Sequence, residues 1–277
     1  MRRGLQRAGG ALLLVALLGL GCQEPAEGLL EEAQELLYLE RYDEALRKVD
    51  AALIELAYGH TPKERALREE SLALGGRLAH LFLGDPRRAL LYYQRLVKEF
   101  PESPKTWEAR QRLASIHLDE LQDTRGAIAQ WKGLVAAYTK REGVDAFQLQ
   151  VAKGYLSIGD HDQARTEARL LLSRFPSSGH RDEAQRLIGS SFQAQGRCEE
   201  AISAFQTLFQ EADDPTLVGN ARLEEGACLS KLGRDEEALE AYMKALKIHP
   251  DPQIVQLKID RHLARVRLGP RQRGRIR

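Results

Sequence analysis

The chain has 277 residues, 43% hydrophobic and 29% charged, with a formal net charge of +1. The hydrophobic share excludes an unfolded polar chain, and a 6% aromatic content with this much charge suits surface-rich helices better than a β-sandwich. The near-neutral total hides an asymmetry, because residues 258–277 hold eight Lys or Arg against one acid, the leader adds Arg2, Arg3 and Arg7, and the body between is acidic.

The first elements form a leader. Three Arg precede an apolar run from Ala11 to Leu20, followed by Gly21 and Cys22. About ten apolar residues are too few for a membrane span, which needs roughly 20, and they fit the apolar region of a secretory signal over residues 1–21. The stretch Leu18-Gly19-Leu20-Gly21-Cys22 resembles the processing site of bacterial lipoproteins, although Gly19 stands where that pattern usually has Leu. The resemblance implies a lipid, palmitate among its acyl chains, on Cys22, with 22–27 as the tether. Gln23 is similar to the outer-membrane sorting signal, which implies a lipid-anchored protein at the outer membrane facing the periplasm. An ordinary signal peptide cleaved near Gly21, leaving a soluble periplasmic protein, is the alternative.

From residue 28 to 252 the chain repeats. Ala45, Ala89, Ala127, Ala164, Ala201 and Ala238 each sit early in a helix that follows a turn, 44, 38, 37, 37 and 37 residues apart. The segment 221–250 is the best formed. Gly226 and Ala238 stand where two helix backbones approach, and Leu229, Leu239, Tyr242 and Leu246 follow at helical spacing. Gly233 is placed to end the first helix in a left-handed conformation and Asp235 to cap the second. One such pair cannot bury its apolar face alone, so it needs its neighbours. Two irregularities stand out: an extra stretch around Tyr58-Gly59-His60-Thr61-Pro62, and bulky Arg77 where a small residue is expected. Residues 253–268 read as an amphipathic capping helix, and 269–277 as a basic disordered tail.

This pattern resembles the tetratricopeptide repeat family, with Gly226, Leu229, Ala238, Tyr242, Ala245 and Pro250 at its strongest positions. The resemblance implies an all-α, right-handed superhelical solenoid of six helix-turn-helix units. With the leader, and with the phrases Phe100-Pro101-Glu102-Ser103 and Phe175-Pro176-Ser177-Ser178, it is similar to the outer-membrane repeat lipoproteins of Gram-negative envelopes, of barrel-assembly, Tol–Pal-associated or pilotin type.

Signals for chemistry are sparse. The seven His are scattered without metal-ligand spacing, and Gly-Asp-His-Asp around His161 reads as a capped turn. There is no nucleophile motif and no phosphate-cradling loop, so neither enzyme activity, a metal nor a cofactor is expected. Cys198 opens one helix and Cys228 lies toward the end of the next, antiparallel one. In an oxidising compartment, with Cys22 occupied by lipid, they are a candidate disulfide; two buried thiols are the alternative.

In the family resembled, ligands bind a groove lined by the first helices of successive units. The alignment assigns it Arg112, Ile116, Asp119, Leu149, Lys153, Leu156, Arg186, Ser190, Gln193, Asn220, Leu223 and Ser230, a mixed apolar and basic surface suited to a peptide carrying acidic or terminal carboxylate groups. A single Asn, Asn220, excludes the two-Asn carboxylate clamp of chaperone-tail binders. The expected function is a non-enzymatic scaffold lipoprotein that binds partner proteins for outer-membrane, cell-wall or pilus and secretin assembly. The alternative is a soluble periplasmic accessory or substrate-binding factor for an envelope enzyme. The basic C-terminus is suited to anionic lipid, and nucleic acid is not expected as a partner of an exported chain.

Overall fold

The structure, a computed structural model, describes residues 25–212 and 214–267; the signal, Cys22 and the basic tail lie outside them. It is all-α, with thirteen helices and no strand among the described residues. The chain divides into two compact units, one ending at Gly84 and one starting at Asp85.

In the first unit, α1 (Ala26–Tyr38) and α2 (Tyr42–Glu55) form a hairpin that α3 (Pro62–Arg77) closes. Leu30, Ala33, Leu46, Val49, Leu53, Leu72 and Leu78 fill it. A 3-10 turn, Leu56–Tyr58, extends α2, and a π turn, Leu78–Phe82, extends α3. The irregular first spacing is explained by α3, which runs for 16 residues plus the 5 of its π turn, against 14 for α7. The stretch from Tyr58 to Pro62, expected as the insertion, is a short connector ending in a capping box between Thr61 and Glu64. Arg77 does not occupy an inner position: it is exposed, and Gly75 and Gly76 beside it are buried.

The second unit runs through α4 (Pro86–Glu99), α5 (Pro104–Ser115) with a π turn (Ile116–Glu120), α6 (Thr124–Ala137), α7 (Val144–Ser157), α8 (His161–Arg174), α9 (Arg181–Ala194), α10 (Cys198–Glu211), α11 (Pro215–Lys231), α12 (Asp235–Leu246) and α13 (Pro252–Arg267). Each helix packs on the next, and α9 also touches both α7 and α11, so first helices of neighbouring repeats adjoin. All six alignment alanines are fully buried. The reason is steric: at the crossing of two helices only a small side chain fits between the backbones.

Turn chemistry repeats as well. Asp85, Asp123 and Asp160 cap α4, α6 and α8, accepting from the N–H groups of Arg88 (2.9 Å), Gly126 (3.0 Å) and Gln163 (3.2 Å), as short polar side chains do at helix starts. Gly196 and Gly233 take φ of 76° and 78°, the left-handed conformation that ends a helix cheaply only at glycine. Asp235, expected as a cap, is instead the first residue of α12 and makes no cap bond. Its carboxylate is drawn to Arg265 of α13, 2.6 Å away.

Candidate partner-binding face

Helices α5, α7, α9 and α11 carry the residues assigned to the groove. Two of them are not available to a ligand: Ile116 is fully buried and Leu149 is 2% exposed, both pointing into the core. Leu156 and Leu223 are half-buried and pack their inner sides on the same core. Asn220 is also half-buried, and Asp119 is exposed, accepting from the Ser115 hydroxyl at 2.8 Å.

The basic residues are present but not unopposed. Lys153 Nζ on α7 lies 2.7 Å from Glu183 Oε1 on α9. Arg186 Nη1 on α9 lies 2.6 Å from Glu224 Oε1 on α11. Glu224 also accepts from the Ser190 hydroxyl, and its backbone carbonyl accepts from Gln193 Nε2 at 2.9 Å. Arg112 pairs more loosely, at 3.5 Å, with Glu108 of its own helix. The face therefore carries acid–base rungs from α7 to α9 and from α9 to α11, and the surplus of positive charge expected for capturing carboxylates is neutralised within it. Arg186 and Glu224 are 27% and 21% exposed, so this rung is partly desolvated and its geometry is held by four groups. Such a face presents fixed polar positions between half-buried leucines, which favours a partner that matches both.

Glu183 and Glu224 were missed by the alignment, which looked for residues facing a ligand rather than for partners of the cations. The signal was readable: Glu224 follows Arg186 by 38 residues, about one repeat.

The C-terminal helix is fixed by a network the sequence did not announce. His262 is 4% exposed. Its Nε2 donates to the Asp235 carbonyl at 3.0 Å, which leaves Nδ1 to accept from the Ser230 hydroxyl at 3.0 Å. Ser230, assigned to the groove, is thereby engaged under α13. Arg265 adds bonds to the Ser230 carbonyl (2.5 Å) and to the Asp235 carboxylate.

Cys198 and Cys228 are both buried free thiols, so the expected disulfide is absent from the structure. The two thiols are neighbours in one core: burial, then Cys198, push Cys228 up to about 12. Among the described residues, no group of three or more His, Cys, Asp or Glu is placed to hold a metal ion. A polar cleft of 370 Å³ between α10 and α12 is floored by α11. Arg222 there stacks 3.4 Å from the Phe209 ring and pairs with Glu225 at 2.9 Å, and Lys244 pairs with Glu240, so its charges satisfy one another.

The sequence profile of the tetratricopeptide repeat family matches residues 78–140 and 186–252. A comparison with curated proteins finds no match. Among solved structures, a chain of Naa15/Naa10 bound to HypK-THB is 17% identical at a TM-score of 0.57, the match covering 86% of this chain and 39% of that one. YrrB, described as a repeat protein with an unusual peptide-binding site, is 16% identical at 0.50, covering 68% of this chain and 90% of that one. PilW, described as a widely conserved type IV pilus biogenesis factor, is 14% identical at 0.45, covering 83% and 98%. At these identities the likeness speaks to the fold alone.

Proposed function

From the tetratricopeptide repeats matched at residues 78–140 and 186–252, we propose that the chain is a non-enzymatic scaffold lipoprotein of the bacterial envelope. A lipid on Cys22 holds it at the periplasmic side of the outer membrane, and the face of α5, α7, α9 and α11 receives a segment of a partner protein in an assembly pathway of the outer membrane, cell wall or pilus. The observation that carries the binding role is the Arg186–Glu224 rung with its supporting Ser190 and Gln193. It is an ordered, partly desolvated polar array on adjoining helices, and its bonds hold side chains in place before any ligand arrives. Preorganisation of this kind lowers the entropy lost on binding.

The anchor is supported by Gly21-Cys22 at the end of the apolar run and by the folded body starting only a few residues later, at Ala26. No helix among the described residues is long and apolar enough to cross a membrane.

Two measurements test this. Crosslinking in intact envelopes, read by mass spectrometry, is compared between the native chain and a variant with Arg112, Lys153 and Arg186 all changed to Gln. The variant is expected to keep its helical circular dichroism and lose its crosslinked partner; unchanged crosslinking rejects the face. Palmitate labelling of wild type against Cys22→Ala tests the anchor, and an unlabelled wild type rejects it in favour of a soluble periplasmic factor.

A further inference from the structure

The first unit exposes large apolar side chains at both ends of one helical hairpin. At one end Ile54 is 71% and Tyr58 88% exposed; at the other Tyr38 is 87% and Leu39 58% exposed. Ile54 and Tyr58 are four residues apart, on α2 and the 3-10 turn that continues it. Exposure alone does not choose between these ends. The tether does.

The first turn of α1, the end of α2 and the first turn of α3 share one end of the hairpin, because Lys63 Nζ on α3 sits 2.5 Å from Glu27 Oε2 on α1. Cys22 precedes Ala26 by four residues, a covalent reach of at most about 14 Å at roughly 3.5 Å per residue. A lipidated Cys22 lies at the headgroup level, and that layer is about 5–8 Å deep in each leaflet. The end bearing Tyr58 is thus held within one short tether of the bilayer. The Tyr38 end is a further ~20 Å away along a 13-residue helix.

The chemistry of the near end fits that position. Tyr is favoured at the membrane–water boundary, where its ring meets acyl chains and its hydroxyl stays wet. Carboxylates that would repel anionic headgroups are engaged within the protein: Glu27 with Lys63, and Glu64 with the N–H and hydroxyl of Thr61 at 2.9 and 2.8 Å.

We propose that the first hairpin stands end-on on the lipid surface, with Ile54 and Tyr58 seated among the headgroups of the leaflet that holds the Cys22 acyl chains. This rests on the lipoprotein reading above. It gives the anchor a second contact, which fixes how the first unit rises from the membrane instead of leaving it on a swivel.

The test uses the acylated full chain reconstituted into phosphatidylethanolamine–phosphatidylglycerol vesicles. Tyr58→Cys and Tyr38→Cys are each labelled with an environment-sensitive fluorophore; both sites are exposed, and Cys198 and Cys228 are buried. Spin-labelled lipid should quench the probe at 58 several-fold more than the probe at 38, with a blue shift at 58 alone. Equal quenching at both sites means a hairpin lying flat, and quenching at neither means a swivelling tether; either overturns the end-on contact while leaving the anchor standing. Intact mass is read on the same sample. A Cys22 without acyl chains overturns the anchor, and the lipid contact falls with it.

Discussion

Gly226 on α11 lies directly beneath the ring of Tyr242 on α12: a Cβ added at Gly226 would come 2.6 Å from two ring carbons. The same fit recurs one repeat earlier, where a Cβ at Gly189 would come 2.3 Å from the Phe205 ring. Tyr242 is 3% exposed and Phe205 fully buried, so neither ring has room to retreat. Gly226→Ala gains up to about 1 kcal/mol of helix propensity but overpacks the crossing by about 1–3 kcal/mol. A net loss is expected, read as a lower urea midpoint at unchanged slope. In the repeat built on α8 the position equivalent to Tyr242 is Ala168, fully buried. Gly226→Ala should therefore cost less in a Tyr242→Ala background, and strict additivity of the two would refute the contact.

The Cys198–Cys228 pair makes a prediction about reactivity. Only a thiolate attacks alkylating reagents; both thiols are buried, and burial foremost, then the neighbouring Cys198, push Cys228 up to about 12. Iodoacetamide at neutral pH should leave both thiols unmodified in the folded chain and modify both once it is unfolded. A disulfide-forming oxidant should remove two hydrogens from the intact mass, reversibly with reductant, and raise stability by up to about 3 kcal/mol by closing a loop of about 30 residues. An oxidised mass that appears only as a covalent dimer would contradict the adjacency.

The repeat architecture was legible because it is written in small residues. Ala89, Ala127, Ala164, Ala201 and Ala238 recur at a nearly constant interval, and each is needed for close backbone approach, so sequence and packing carry the same signal. The binding face was legible only in part. Helical register separates inner from outer positions, yet Ile116 and Leu149 lie near that boundary, and it falls on the core side for both. The pairing of Lys153 with Glu183 and Arg186 with Glu224 depends on how neighbouring helices are offset, which a single repeat does not encode. The extra length before Ala89 went into a helix and not a loop because Pro62 to Phe82 has no internal breaker; its paired glycines, Gly75 and Gly76, are buried in close packing.

The Asp123 cap predicts a pH dependence. The Gly126 N–H, foremost, and His117 hold the Asp123 carboxyl below its ordinary value, against the opposing effect of burial. A lowered folded value means the charged form is favoured by folding. Its stabilisation is complete above the unfolded aspartate value of about 3.9 and is lost as pH falls through the folded value. Asp123→Asn keeps a cap that does not titrate. The difference in melting temperature between wild type and variant should hold steady at neutral pH and shift against wild type under acid. A difference independent of pH would show that the carboxylate is not selectively bound.

The Arg186–Glu224 rung should be worth more than a surface ion pair. Exposed pairs contribute about 0–1 kcal/mol, but here both partners are mostly buried and Ser190 and Gln193 bind the same glutamate. A double-mutant cycle with Arg186→Ala and Glu224→Ala is expected to give a coupling above about 1 kcal/mol, with Glu224→Ala the more damaging single change because it takes the acceptor from Arg186 and Ser190 at once. Coupling near zero, measured by chemical denaturation, would show a rung that forms and breaks freely, and with it no preorganised face.

The last prediction concerns the end of the array. α13 packs on α12 and reaches Ser230 of α11, burying Val255 and Ile259. Hydrophobic burial does not fix its rotation or register, and His262 does. The imidazole bridges the Ser230 hydroxyl and the Asp235 carbonyl, and Arg265 reaches the same two residues. Removing the ring in His262→Ala strands buried polar groups at about 1–3 kcal/mol, besides the packing lost against Tyr242. The loss should stay local, because α13 packs chiefly on α12. Hydrogen exchange is expected to accelerate across α13 and the end of α11 while α7 to α10 keep their protection. Uniform acceleration through the unit would mean that α13 is an integral part of the cooperative core and not a docked cap.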